Sequence, residues 1–220
     1  MEVIKERITG KVILIVTICS LVLLFSMGTR QSFGLFQTPI SEAFGVGIAA
    51  FSLSLAVQNL MWGISQPIVG ALADKFGSGR VIAIAGFFQS LGLVWLAYAD
   101  QVWELHASAG ILIGITGAGT TWAVLMSVIA RNVPASRRSM FFGIASGIGT
   151  GGQILLAPFN QFTINTYGWQ DALLILAVML LITIPCAYIL RGKNSDTVKE
   201  HAETLRQALV RARKHSGYLL

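Results

Sequence analysis

One cation, Arg30, stands inside an otherwise apolar run that begins near Val12. A guanidinium at the centre of a membrane helix costs about 2.5–3.5 kcal/mol on insertion scales, so it needs either a route to the interface or a task. Its rigid fork of donors suits bidentate contact with a carboxylate or another small anion. Ser26, Gly34 and Gln37 share a helical stripe with it. Three later runs carry similar polar stripes. The first holds Ser54, Gln58, Trp62 and Ser65 with Asn59 and Gln66 beside them; the second holds Thr116, Thr120 and Ser127; the third holds Ser146, Thr150, Gln153 and Asn160. Arg30, Gln37, Gln58, Asn59, Thr120 and Gln153 are the candidate substrate-binding residues. For single Ser and Thr side chains the competing role is interhelical hydrogen bonding, worth about 1 kcal/mol or less per contact.

Binding chemistry is expected here rather than catalysis. A nucleophilic mechanism needs a Ser or Cys beside a base. His106 falls at the outer edge of its apolar run, and His201 and His215 lie beyond the last one. Cys19 and Cys186 are far apart and inside apolar runs, which suits small core residues and no metal cluster. No enzyme activity, metal or cofactor is expected.

These stripes must be held by membrane helices. Only 12% of the 220 residues are charged, against about a quarter in an ordinary soluble domain. Mean hydropathy is +0.69, and several runs exceed the roughly 20 residues needed to cross a bilayer. The pattern predicts six helices, over about 12–37, 49–72, 80–99, 105–130, 139–162 and 169–190. The polar stripes imply that helices 1, 2, 4 and 5 surround a polar interior. Helices 3 and 6, with little beyond Gln89, Ser90 and Thr183, support it from outside. Counted from Val12, Arg30 lies about 27 Å along its helix, in the outer half of the bilayer.

Charge placement orients the bundle. Lys5, Arg7 and Lys11 precede helix 1; Lys75 and Arg80 separate helices 2 and 3; Arg131, Arg137 and Arg138 separate helices 4 and 5; the remaining Lys and Arg follow helix 6. The opposite loops carry Glu42, Asp100 and Glu104 and no base. By the positive-inside rule both ends are cytoplasmic. This distribution also explains the net charge of +6 without a nucleic-acid partner, which would call for one basic folded face. Residues 191–220 read as a basic cytoplasmic linker. Val198, Ala202, Leu205 and Leu209 fall there at the spacing of an amphipathic helix on anionic lipid, and apolarity rises again at Gly217-Tyr218-Leu219-Leu220 as though a seventh helix began.

Two glycine patterns complete the sequence. Gly143, Gly147, Gly151 and Gly152 recur in helix 5, and Gly110, Gly114 and Gly117 in helix 4; small faces of this kind let membrane helices approach closely. Gly70 to Arg80 forms a charged, glycine-punctuated hinge. There Gly70 allows close packing, Asp74 complements a helix N-terminus, Gly77 and Gly79 permit the reversal, and Lys75 and Arg80 hold the loop inside.

The hinge Gly70-x-Leu72-Ala73-Asp74-Lys75-x-Gly77-x-x-Arg80 resembles the signature loop between helices 2 and 3 of the major facilitator superfamily. Gly143-x-x-x-Gly147-x-x-x-Gly151-Gly152 resembles that family's fifth-helix glycine frame. Gly28-x-Arg30-x-Ser32-Phe33-Gly34, with Arg137-Arg138 leading into helix 5, is similar to the monocarboxylate-porter and oxalate/formate-antiporter-like branch. Ile148 stands where antiporters of the family have Pro, and Ile113 where many proton-coupled members have Arg. Neither antiport nor proton coupling therefore carries over. The resemblance implies an all-α membrane protein, the N-terminal six-helix half of a twelve-helix transporter built as a 3+3 inverted repeat. It implies secondary transport of a small organic anion such as a monocarboxylate across the plasma membrane; protons and a counter-substrate are the coupling partners left open, with neither fixed by the residues. It further implies that the chain is a fragment needing a C-terminal half. The alternatives are a half-size transporter working as a homodimer and a non-transporting receptor or scaffold.

Overall fold

The computed structural model describes residues 10–190. They form six helices long and apolar enough to cross a membrane: α1 Gly10–Ala43, α2 Ile48–Phe76, α3 Ser78–Ala97, α4 Val102–Asn132, α5 Ala135–Tyr167 and α6 Trp169–Ile189. No strand occurs among the described residues. The expected N-terminal basic residues Lys5 and Arg7, and the expected basic linker at 191–220, lie outside them.

Every helix but α3 and α6 is longer than hydropathy indicates, because helix geometry continues through residues that hydropathy assigns to loops. The hinge is the clearest case. Gly70, Asp74 and Lys75 all lie within α2, and the reversal is made at Gly77 alone, with φ 91° and ψ 134°. Gly79 is buried helix in α3 and takes no part in the turn. Gly168, at φ 89°, makes the same one-residue break between α5 and α6. A side chain at Gly77 would be held in a region open essentially to glycine, at about 1–3 kcal/mol. Gly77→Ala is expected to lower the thermal unfolding midpoint in detergent, whereas Gly79→Ala tests only packing.

α1 packs most extensively on α5, and α3 on α6. Of the four glycines picked out in helix 5, Gly152 permits the first contact and the other three do not. Gly143, Gly147 and Gly151 have no atom within 4 Å of where a Cβ would sit, and neither has Gly70. The face of α5 turned to α1 instead carries Ala145, Gly149, Gly152 and Leu156. A Cβ on Gly152 would overlap the Leu24 carbonyl oxygen and lie 2.7 Å from its Cα, while Gly149 faces Leu23 and Trp122. The physical reason is periodicity: an exact four-residue repeat drifts around a 3.6-residue helix, so a mixed three-and-four spacing tracks one partner. In α4, Gly110 and Gly114 do pack closely, against the α2 backbone at Ser54 and Gln58.

Two apolar clusters make the core. One joins Ile15 to Met27 with Leu125, Ile129 and Leu190 at one end of the bundle. The other joins Phe33, Phe36 and Phe51 with Leu93, Leu105 and Leu173 at the opposite end. The intervening level holds buried polar side chains: Ser26, Gln58, Gln89 and Thr120. The described faces of α2 and α5 are the least enclosed, with 22% and 28% of their most apolar windows buried, against 50% for α3. α3 is enclosed across half of its window, and its Gln89 reaches the polar level.

α4 is not a uniform helix. After one α-helical turn, Val102–Leu105, it widens to a π-helical stretch, His106–Leu112, tightens to a 3-10 turn at Ala118–Thr120, and adopts an extended residue at Thr121. The widened turn is braced by α2: Gln58 Nε2 donates to the Ala109 carbonyl at 2.9 Å, and Ser54 Oγ is 2.7 Å from His106 Nδ1.

Candidate functional site

The polar level contains a small cavity lined by Ser26, Met27, Arg30 and Phe33 of α1, Gln58 and Trp62 of α2, Gln89 of α3, and Ile113, Gly114 and Gly117 of α4. Trp62 is the central residue of α2, and Gly117 the central residue of α4. The cavity thus lies at mid-height of the helices that form it. α5 contributes no lining residue.

Arg30 sits a little past the middle of α1 because the helix extends to Ala43 rather than ending near residue 37. Its side chain is half-buried and reaches α2. Nη2 donates to Asn59 Oδ1, and the guanidinium lies 4.0 Å from the centre of the Trp62 ring. Asn59 is fixed in turn by donating Nδ2 to the Leu55 carbonyl at 2.9 Å. The ion pair found among the described residues is Arg131–Asp74, so Arg30 has no carboxylate partner there. An aromatic face and one amide oxygen compensate a cation only in part, leaving a positive charge with free donors at the cavity's edge.

Ser26 joins this level to a hydrogen-bonded chain. Its Oγ lies 2.6 Å from Thr120 Oγ1, which is 3.3 Å from Gln89 Oε1. Thr120 is fully buried, and its place in this chain suits it to fix the cavity wall rather than to meet solute. Replacing it with Val would strand the Ser26 hydroxyl and the Gln89 carbonyl. We expect a stability loss of about 1–3 kcal/mol, read as a lowered unfolding midpoint.

Of the residues singled out by sequence, Arg30, Gln58 and Asn59 come together around the cavity or at its edge. Gln37 does not. It stands two turns further along α1, roughly 10 Å away, and donates to Ser52 Oγ at 3.4 Å. Gln153 is on α5, outside the cavity lining. Trp62 and Gln89 line the cavity although neither is among the six binding candidates. Trp62 falls four residues beyond Gln58 on the same face, and Gln89 is an amide in an otherwise apolar helix; those are the signals that identify them.

At the other end of the bundle Arg131 ties the hinge to α4. Its Nη1 is 3.9 Å from Asp74 Oδ1, and its Nη2 donates to Ser78 Oγ and to Ser127 Oγ. Asp74 is 61% exposed, so one edge of its carboxylate remains open. Lys75 lies over the Phe76 ring at 5.2 Å, and Arg80 is exposed.

Residues 18–218 match the sequence model described as the Major Facilitator Superfamily. Among curated proteins the chain is 32% identical to monocarboxylate transporter 11 of Mus musculus over 170 residues, 76% of this chain and 37% of that protein. It is 26% identical to monocarboxylate transporter 13 of Bos taurus over 207 residues, 88% of this chain and 48% of that one. The chain therefore spans less than half the length of these relatives. Among solved structures it resembles the inward-open xylose transporter XylE of E. coli, with a TM-score of 0.69 at 18% identity, covering 93% of this chain and 56% of that one. That likeness concerns the fold.

Proposed function

The chain belongs to the major facilitator superfamily, and from that premise we propose that it supplies one half of a secondary transporter for a small organic anion, a monocarboxylate foremost. The observation that carries the proposal is the Arg30 guanidinium: a cation at mid-bundle, without a carboxylate partner among the described residues, at the edge of a small enclosed cavity. Transporters place substrate sites near the bilayer midplane between repeats, and a cation in that position attracts anions while repelling cations. The names of the relatives supply the monocarboxylate.

Alternating access would rock this six-helix unit against a second one, either a further segment of the same protein or another copy. Its open α2 and α5 faces and the one-residue Gly77 hinge suit such a movement. The protein would lie in the plasma membrane with both ends of the unit cytoplasmic. Asn59 orients Arg30, Gln58 braces α4, and Asp74, Lys75 and Arg80 form the cytoplasmic latch.

Uptake into proteoliposomes tests this. Radiolabelled L-lactate should accumulate in exchange or with a gradient and be displaced by unlabelled monocarboxylates, while xylose has no effect. Uptake displaced by xylose and indifferent to monocarboxylates would contradict it.

A further inference from the structure

The cavity beside Arg30 is too small for a substrate. Its free space is about 10 Å³, room for one water-sized group, whereas a small-molecule site occupies several hundred. Its walls are mainly apolar, yet they hold one unsatisfied donor. The Trp62 indole N–H is enclosed and has no hydrogen-bond partner. An enclosed donor left unpaired costs free energy, so it calls for an acceptor supplied from elsewhere. The pyrrole edge of the ring faces Gly117, where a Cβ would lie 3.7 Å from Trp62 Cδ1 and 4.0 Å from Gln89 Nε2. Gln58 closes another side. The indole face meanwhile carries the Arg30 guanidinium.

We propose that this recess reads a single substrate oxygen, with Trp62 as the specificity-determining residue. An anion held by Arg30 at the cavity's edge projects one neighbouring oxygen into the recess, where it accepts from the indole N–H. One side chain then does two things: its ring face sets the angle of the guanidinium, and its N–H selects anions with a second oxygen beside the charged group. A site built to hydrogen-bond an oxygen discriminates against an analogue that lacks it, because its own donor is left unpaired. The proposal rests on the anion reading of Arg30.

The test is equilibrium binding of L-lactate and propionate, which differ by one hydroxyl, to the purified full-length protein. Lactate should bind about 10–100-fold more tightly. Two variants attack the recess independently: benzothienylalanine at position 62, which keeps the ring and deletes the N–H, and Gly117→Ala. The added methyl of the second meets only ordinary contacts, so the fold is kept while the recess is filled. Both should reduce the lactate-to-propionate ratio to below about threefold. A larger ratio in either variant overturns the role of the recess, as does wild-type protein without a preference. Those two results leave the anion reading standing as long as Arg30→Gln weakens both ligands. If neither ligand binds wild-type protein, the anion reading and this inference fall together.

Discussion

Arg30→Gln should abolish monocarboxylate uptake while the protein still inserts and runs as a monodisperse species in detergent. Glutamine is shorter by about two atoms and keeps some donor capacity, but it removes the charge. The Asn59 oxygen to which Arg30 now donates lies at an exposed contact, where water can replace the lost donor. Hydrogen bonds to a charged group contribute about 1.5–3 kcal/mol, which corresponds to roughly 10–150-fold in affinity. Arg30→Lys keeps the charge and loses the planar fork, so it should fall between wild type and Gln. Normal uptake by Arg30→Gln would mean that the guanidinium is there to serve packing with Trp62 and Asn59 alone.

The second large effect is structural. Gly152→Ala should destabilise the bundle by about 1–3 kcal/mol, and Gly152→Val by more, because the new Cβ meets main-chain atoms of Leu24 that cannot rotate aside. α1 and α5 form the most extensive helix pair in the unit, and α1 also presents Arg30, so separating them should lower binding along with stability. The matched control is Gly151→Ala, one residue away, where no atom of the described chain lies within 4 Å. There the added methyl should be neutral or slightly stabilising within this unit, since alanine exceeds glycine in helix propensity by up to about 1 kcal/mol. Thermal unfolding of the two variants side by side measures the difference. Equal midpoints would contradict the observed α1–α5 contact.

The contrast between these neighbours shows where sequence is informative and where it stops. Long apolar runs are a property of composition and length, so the helices are legible in the chain of residues itself. Their ends are less so. Asp74 and Lys75 look like loop residues to hydropathy, yet backbone hydrogen bonding carries α2 past them until Gly77 permits a turn. The π-helical stretch of α4 is met by a distant side chain, Gln58, which reaches the Ala109 carbonyl, and no local signal in α4 announces that bond. Glycine content identifies α5 as a packing helix, but the four-residue repeat does not track α1: Gly152 packs on it, whereas Gly143, Gly147 and Gly151 meet no described atom.

The site divides in the same manner. Arg30 is conspicuous because charge is rare in an apolar run, and Gln58 and Asn59 because amides are costly there. Gln37 and Gln153 satisfy the same criterion without reaching the cavity; polarity marks a residue as unusual but does not set its height or rotation. Trp62 is the reverse case. It shares the Gln58 stripe without being a binding candidate, and its unpaired N–H and its stacking on Arg30 give it a polar role at the cavity.

The central claim is that the Arg30 charge selects for anionic ligands. The most direct measurement compares L-lactate with its neutral isostere lactamide, in wild-type protein and in Arg30→Gln, as a four-way binding cycle. Wild type should prefer lactate by about 10–150-fold, the range expected for a charge-assisted contact, and Arg30→Gln should bind the two within about threefold. A preference for lactate that survives unchanged in Arg30→Gln would place the anion site elsewhere and contradict the account.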